Sequence, residues 1–212
     1  MDLQQARMLR DVLSDTAWWD RTRAFGRALR TSTRTPGGLL LIGPPAAEPW
    51  HLTAHLDDEA RFAGLPEMSP TLVRWDPPRG APSQLAVGLE RLSTAKRGES
   101  VLVVAETAPE ALLERVHDVR RGGATIFALD TGHTELAGIA HEVLSVDTGV
   151  VPAGNAARTD PLVEHPAAGP AISFEGAQHL LSLAAAEAEP GMPKGLRSRL
   201  ARLLDAISGP DA

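Results

Sequence analysis

Short apolar segments alternate with amphipathic segments along the first 146 residues of the chain. Five segments are apolar enough to be buried strands, at residues 38–43, 70–76, 100–105, 124–130 and 143–146. Segments with helical spacing of apolar residues lie between them, at residues 48–63, 82–96, 109–121 and 135–141. Strands that are joined through helices in this way form parallel sheets. The pattern therefore predicts an α/β fold in which helices cover a parallel sheet.

The segments that flank this alternation differ from it. Apolar residues near the N-terminus follow helical spacing, with an expected break at Asp15 and Thr16. Two further helical patterns occupy residues 174–187 and 194–207. We therefore predict one domain over residues 1–212. Its four parts are an N-terminal helical region, the β-α core, a Pro/Gly-rich excursion or lid, and C-terminal helices, over residues 1–32, 38–147, 148–172 and 173–208.

Composition excludes several classes of protein. The net charge is −6 and no basic stripe is present, so we expect no direct nucleic-acid partner. The absence of Cys excludes disulfides, thiolate metal ligands and Cys nucleophiles. No signal peptide is visible and every apolar run is too short to span a membrane. These features predict a cytoplasmic protein without a membrane partner.

Three motifs within residues 100–146 carry a resemblance to a known family. They are Val101-Leu102-Val103-Val104, Arg120-Arg121-Gly122-Gly123-Ala124 and Leu136-Ala137-Gly138-Ile139-Ala140-His141. The first resembles the third strand of the sugar isomerase (SIS) domain family, and the second resembles the turn into its fourth strand. The third resembles the family's Leu-Ala-x-x-Ala-Asp turn, with His141 in place of the Asp. The chain is most similar to the single-domain, sedoheptulose-7-phosphate isomerase-like members.

This resemblance implies a specific architecture. It implies a three-layer, doubly wound sheet of five parallel strands in the order 2-1-3-4-5, with an N-terminal helical region and C-terminal helices. It also implies a homodimer or homotetramer whose sites lie between subunits. The expected ligand is a sugar derivative or a protein partner, and no cofactor is expected.

The loop after the third strand departs from the family's Ser-x-Ser-Gly-x-Thr pattern. Thr107 keeps a hydroxyl group, but Pro109 lacks an amide donor, and Glu106 and Glu110 place carboxylates where a phosphate would bind. A like-charge contact at about 4 Å costs about 1–4 kcal/mol, depending on screening. We therefore predict that this loop no longer binds a phosphate ester.

The loop after the first strand departs from its pattern as well. The family has Gly-x-Gly-x-Ser, and this chain has Gly43-Pro44-Pro45-Ala46-Ala47. Pro44 and Ala46, together with Glu106 and Thr107 of the other loop, are the predicted ligand-facing residues. Both loops have lost groups that would hold a phosphate.

Candidate acid and base groups remain. The segment 175–179 resembles the family's catalytic His segment, which implies a catalytic role for His179. Asp57 or Glu59, on the helix after the first strand, would supply the carboxylate. Isomerisation through an enediol needs a base beside the carbonyl carbon and an acid at the oxygen, and a His and a carboxylate suit these roles.

Histidines on the same helix leave other interpretations open. His51, His55 and Glu59 are spaced four residues apart, which puts them on one helix face. Two His and a carboxylate are a chemically sensible ligand set for zinc. A pH-responsive subunit contact and an ordinary solvated face are the alternatives, and the sequence alone predicts no metal.

Three functions follow from these observations. The preferred one is a non-catalytic SIS-like binding or regulatory protein, a pseudoenzyme that has lost the sugar-phosphate loop. The second is a divergent aldose–ketose isomerase that uses His179 with Glu59 or Asp57. The third is an oligomeric structural or assembly protein, in which Trp18-Trp19 and the last helix form contacts between subunits.

Overall fold

Five parallel strands form the centre of the structure, a computed structural model that describes residues 3–80, 86–146 and 172–187. The strands are β1 Leu39–Ile42, β2 Pro70–Leu72, β3 Ser100–Ala105, β4 Thr125–Asp130 and β5 Glu142–Ser145. Their order in the sheet is β2-β1-β3-β4-β5, and every neighbouring pair is parallel. The predicted α/β class and strand order are confirmed.

The helices lie close to most of their predicted positions. They are α1 Leu3–Leu13, α2 Ala17–Ser32, α3 Trp50–Ala63, α4 Glu90–Ser93, α5 Glu110–Arg121, α6 Thr134–Ile139 and α7 Phe174–Ala186, with a short 3₁₀ turn at Pro66–Met68. None of the helices in the described ranges is long and apolar enough to cross a membrane. Nearly all of the predicted excursion at 148–172 and the predicted helix at 194–207 lie outside the described residues.

The predicted break in the N-terminal helical region is confirmed. The first helix ends at Leu13, and Thr16 caps the second by accepting a hydrogen bond from the Trp19 amide at 3.3 Å. Trp19 is buried in the core, and the Trp18 indole Nε1 donates to the Ser145 carbonyl at 3.4 Å. The tryptophan pair therefore joins α2 to the end of β5 within one chain.

Side chains alternate between two cores on opposite faces of the sheet. In β1, Leu39 and Leu41 pack with α1, α2, α3 and α7, whereas Leu40 and Ile42 pack with residues of α4, α5 and α6. Successive side chains of a strand point to opposite faces, so a sheet covered on both sides needs apolar residues at every position. This is why the strands read as continuous apolar runs, and the result is a doubly wound, three-layer fold.

The helix predicted over residues 82–96 is wrong for most of the part that the structure describes. Only Glu90–Ser93 is helical there. The Arg74 amide donates to the Val87 carbonyl at 2.9 Å, and Arg74 pairs with Gly88 in a parallel bridge. This pairing holds the chain extended at Val87 and Gly88, just before α4.

The backbones of α2 and α7 approach each other closely at Gly26. A Cβ atom added at Gly26 would lie 2.9 Å from the Ala184 carbonyl carbon and 2.9 Å from the Ala185 nitrogen. Both are backbone atoms, which cannot move aside as a flexible side chain would. A glycine at this position therefore permits the packing of α7 onto α2.

Gly26→Ala should lower the free energy of unfolding, because the added methyl group forces the two helices apart. Overpacking of this kind costs about 1–3 kcal/mol. Gly138→Ala in α6 is the matched control, since its Cβ position has no described atom within 4 Å apart from neighbouring residues and the backbone of its own helix, and it should raise stability by about 0.4–1 kcal/mol. Urea unfolding followed by circular dichroism measures both values. Equal stabilities for the two variants would contradict close packing at Gly26.

Candidate functional site

The carboxyl edge of the sheet is where open α/β sheets bind ligands, and both α3 and α7 begin there. α3 follows β1 and begins at Trp50, and α7 packs beside it. His51 in the first turn of α3 lies 4.0 Å from Glu175 in the first turn of α7, measured from Nδ1 to Oε1. The two helix starts therefore lie together at this edge.

Three histidines form a cluster between these helices. His51 and His55 come from α3, and His179 comes from α7. Their ring centroids are 4.8 Å apart for His51–His55, 5.2 Å for His51–His179 and 4.4 Å for His55–His179. One ring nitrogen from each residue lies within 4.8 Å of the other two. The structure thus brings together two residues that share a helix face and a third that is more than 120 positions away in the sequence.

The cluster has a protected side and an open side. His179 is only 4% exposed, whereas the His51 side chain is 43% exposed. The exposed Trp50 indole stacks on His51 with centroids 5.0 Å apart and an interplanar angle of 20°. Glu175 Oε1 lies on the same side, 3.8 Å from His179 Nε2. A ligand would therefore reach the histidines from the side of Glu175 and Trp50.

One atom of the cluster is unusual. His55 Nε2 is fully buried and has no hydrogen-bond partner among the described residues. Buried polar side-chain atoms in folded proteins nearly always have a partner, so each exception needs an explanation. A ligand bound between the three rings would provide one.

Burial favours the neutral form of two of the three imidazoles. Desolvation lowers the pKa of His55, and the positive charge that His51 carries when protonated lowers it further, although Asp58 opposes this. Desolvation also lowers the pKa of His179. The charge of a protonated His55 lowers this pKa further, whereas the negative charge of Glu175 raises it. A neutral imidazole has a free lone pair on one ring nitrogen, so these two residues can accept a hydrogen bond or bind a metal ion.

The carboxylates predicted as catalytic partners of His179 have other contacts. Asp57 accepts a hydrogen bond from the Ser69 hydroxyl and forms an ion pair with Arg61 at 2.6 Å. Glu59 lines a small gap between α3 and α7 with residues one to two turns beyond His179, among them Ser182 and Ala186.

The carboxylate beside His179 is Glu175. No role was predicted for Glu175 from the sequence, although its spacing of four residues from His179 puts both side chains on one face of α7. Its proximity to His51, in contrast, depends on the packing of α3 beside α7.

The turn after β3 has the features expected from its sequence. Pro109 is the residue before the first turn of α5, and within the described residues no side chain caps this helix. Glu106 and Thr107 are exposed, and Glu110 lies in the first helical turn. The start of α5 therefore presents two carboxylates and one hydroxyl group to solvent.

The Glu48 side chain anchors the loop after β1 to the segment that follows β2. The Glu48 carboxylate accepts a hydrogen bond from Arg74 Nε at 2.8 Å and another from the Trp75 amide at 2.9 Å. The Trp75 indole donates to the Gly43 carbonyl at 2.7 Å. The loop is thereby tied to the segment that follows β2.

The four predicted ligand-facing residues lie in loops that follow neighbouring strands. Ala46, Glu106 and Thr107 are exposed, and Pro44 is half-buried. Because β1 and β3 are adjacent and their helices pack on opposite faces, this crevice is the switch point of the fold, where ligands bind in such sheets. The four residues are therefore available to a ligand.

Comparisons with known proteins give no family assignment. Neither the scan against protein-family models nor the search of curated proteins found a match to this chain. The resemblance of residues 100–146 to the SIS domain family stays a prediction.

Acidification should destabilise the fold through His55 and His179. Their pKa values are lowered from 6.5 in the folded state, so the unfolded chain binds more protons below that pH. The free energy of unfolding therefore decreases as the pH falls through about 6.5. Urea unfolding at a series of pH values, with a chelator present, measures this slope.

The variant His55→Gln should show a shallower slope over the same pH range. The exposed His117 on α5 supplies the matched control, and His117→Gln should keep the slope of the unsubstituted protein. An identical slope for His55→Gln and the unsubstituted protein would contradict the assignment of this pH dependence to the cluster.

Proposed function

We propose that this chain is a non-catalytic, SIS-like binding or regulatory protein whose carboxyl edge no longer holds a sugar phosphate. The observation that carries the proposal is the turn from β3 to α5. In this turn a proline, Pro109, directly precedes the helix, Glu106 and Glu110 lie on either side of that proline, and Glu106 and Thr107 are exposed.

The energies at this turn favour loss of phosphate binding. A helix N-terminus stabilises an anion by about 0.3–1 kcal/mol at an exposed position. Each carboxylate about 4 Å from a phosphate oxygen opposes binding by about 1–4 kcal/mol. Two such residues outweigh the helix end, and Pro109 removes one of the amide donors that would compensate.

The same groups suit a different ligand. Two carboxylates and the Thr107 hydroxyl can accept hydrogen bonds from hydroxyl or ammonium groups, as an unphosphorylated or aminated sugar offers, and they also suit a basic segment of a protein partner. The SIS resemblance further leads us to propose a homodimer or homotetramer. We also propose a cytoplasmic location, which does not depend on that resemblance. Binding without turnover fits a regulatory role.

A pair of ligands that differ only by a phosphate tests this proposal. Glucosamine should raise the melting temperature more than glucosamine 6-phosphate, because the phosphate meets two carboxylates. A ligand at 100 times its dissociation constant stabilises by about 2.7 kcal/mol, which a thermal-shift assay detects.

The control for this experiment is the double variant Glu106→Gln, Glu110→Gln. It should lose the preference for the unphosphorylated member of the pair, since the repulsion is gone while the fold stays intact. Stabilisation of the unsubstituted protein by the phosphorylated sugar alone would refute the proposed loss of phosphate binding.

One observation favours a divergent isomerase as the second candidate. His179 is buried at the carboxyl edge with a lowered pKa, and Glu175 lies 3.8 Å away. A carboxylate that can act as a base therefore lies beside a neutral imidazole that can donate a hydrogen bond to a carbonyl oxygen. The third candidate, an assembly protein, loses one of its two arguments because Trp19 packs inside the chain.

Proton exchange distinguishes the isomerase from the binding protein. An enediol mechanism exchanges the hydrogen beside the carbonyl of a ketose phosphate with solvent deuterium, which proton NMR detects directly. We expect no exchange above the rate without protein. Exchange that His179→Gln abolishes and His117→Gln preserves would establish the isomerase instead.

A further inference from the structure

We propose that His51, His55 and His179 bind a divalent transition-metal ion, with Glu175 as the fourth ligand. This site goes beyond the proposed sugar or protein binding and does not depend on it. It rests on the arrangement of four side chains at the start of α3 and α7.

The distances come close to those of a metal centre. Zinc binds His nitrogens at about 2.0–2.1 Å, so neighbouring ligand atoms of a tetrahedral site are about 3.4 Å apart. The three ring nitrogens lie within 4.8 Å of one another. Binding would require the imidazole rings to rotate so that these nitrogens approach one another.

The buried His55 nitrogen is the second, independent observation. His55 Nε2 is shielded from solvent, and no described group donates to it or accepts from it. A polar atom in that position loses its hydrogen bonds to water without replacement, which costs free energy. Coordination to a metal ion between the rings would satisfy it.

Glu175 completes the ligand set from the open side. Its Oε1 atom lies 3.8 Å from His179 Nε2 and 4.0 Å from His51 Nδ1, close to the spacing of ligand atoms in a tetrahedron. Its negative charge offsets part of the charge of a divalent ion. The four ligands come from two helices, so the bound ion would join the first two turns of α3 to the first two turns of α7.

The ligand chemistry selects the ion. Calcium and magnesium prefer sites built from oxygen ligands, and thiolate-dependent sites are excluded because the chain has no Cys. Three imidazoles and one carboxylate suit zinc and its neighbours cobalt, nickel and copper. Zinc is the expected ion because it accepts tetrahedral coordination by nitrogen and oxygen.

Calorimetric titration of the chelator-treated full chain with zinc tests the site. We expect one ion per chain and a higher melting temperature in the bound form, because the ion links two helices. Cobalt, used as a spectroscopic probe, should give the intense visible bands of tetrahedral coordination. An octahedral cobalt spectrum, or a lack of zinc binding, would overturn the proposal without any variant.

Substitutions assign the ligands. His51→Gln is the principal variant, since the His51 side chain is 43% exposed and its replacement should leave the fold intact. Loss of a direct ligand should weaken zinc binding by more than about 100-fold, the upper range for residues that only orient a ligand. Glu175→Gln should weaken binding at least about 10-fold and alter the cobalt spectrum.

The exposed His117 on α5 again supplies the control, and His117→Gln should bind zinc as the unsubstituted protein does. Circular dichroism establishes that each variant is folded. Equal affinity of His51→Gln and the unsubstituted protein would place the ion elsewhere and overturn the proposal. Equal affinity and an unchanged cobalt spectrum for Glu175→Gln would remove Glu175 from the ligand set.

Discussion

The packing of α7 against α2 and α3 determines the geometry of the candidate site. α7 packs on the same face of the sheet as α2 and α3, and its alanines lie against the α2 backbone at Gly26. The Arg30 guanidinium donates to the carbonyls of Ala184 and Ala185 at 3.0 and 2.8 Å, which fixes the far end of α7. At the other end, the first turn of α7 lies beside the start of α3, where Glu175 and His51 are 4.0 Å apart.

The sequence predicted most of the fold because each strand is buried on both faces. Such strands are continuous apolar runs, and their boundaries were correct to within a residue or two, except in β2. Within the described part of the segment 82–96, most of the predicted helix is wrong because a pairing between Arg74 and Gly88, fourteen positions apart, competes with the helix. Helical spacing of apolar residues carries no information about that pairing.

The candidate site was only partly visible in the sequence. The spacing of His51 and His55 placed both on one face, and the family resemblance singled out His179. That the three rings meet depends on how far α3 is displaced along α7, which no local pattern specifies. The same displacement puts Glu175 beside His51 and leaves Glu59 further along the helix pair. The sequence also could not exclude Asp57 as the catalytic carboxylate. Its contact with Ser69 joins α3 to the residue before β2, and such a contact is not visible in a local pattern.

The alternation of side chains along the strands separates the two halves of the carboxyl edge. The histidines belong to the layer that packs on Leu39 and Leu41, whereas α5 with its acidic turn belongs to the layer that packs on Leu40 and Ile42. Substitutions at distant positions without shared contacts have nearly additive effects. Substitutions can therefore change the binding specificity of one half without affecting the other. A single sheet can in this way carry two binding sites of different chemistry that evolve independently.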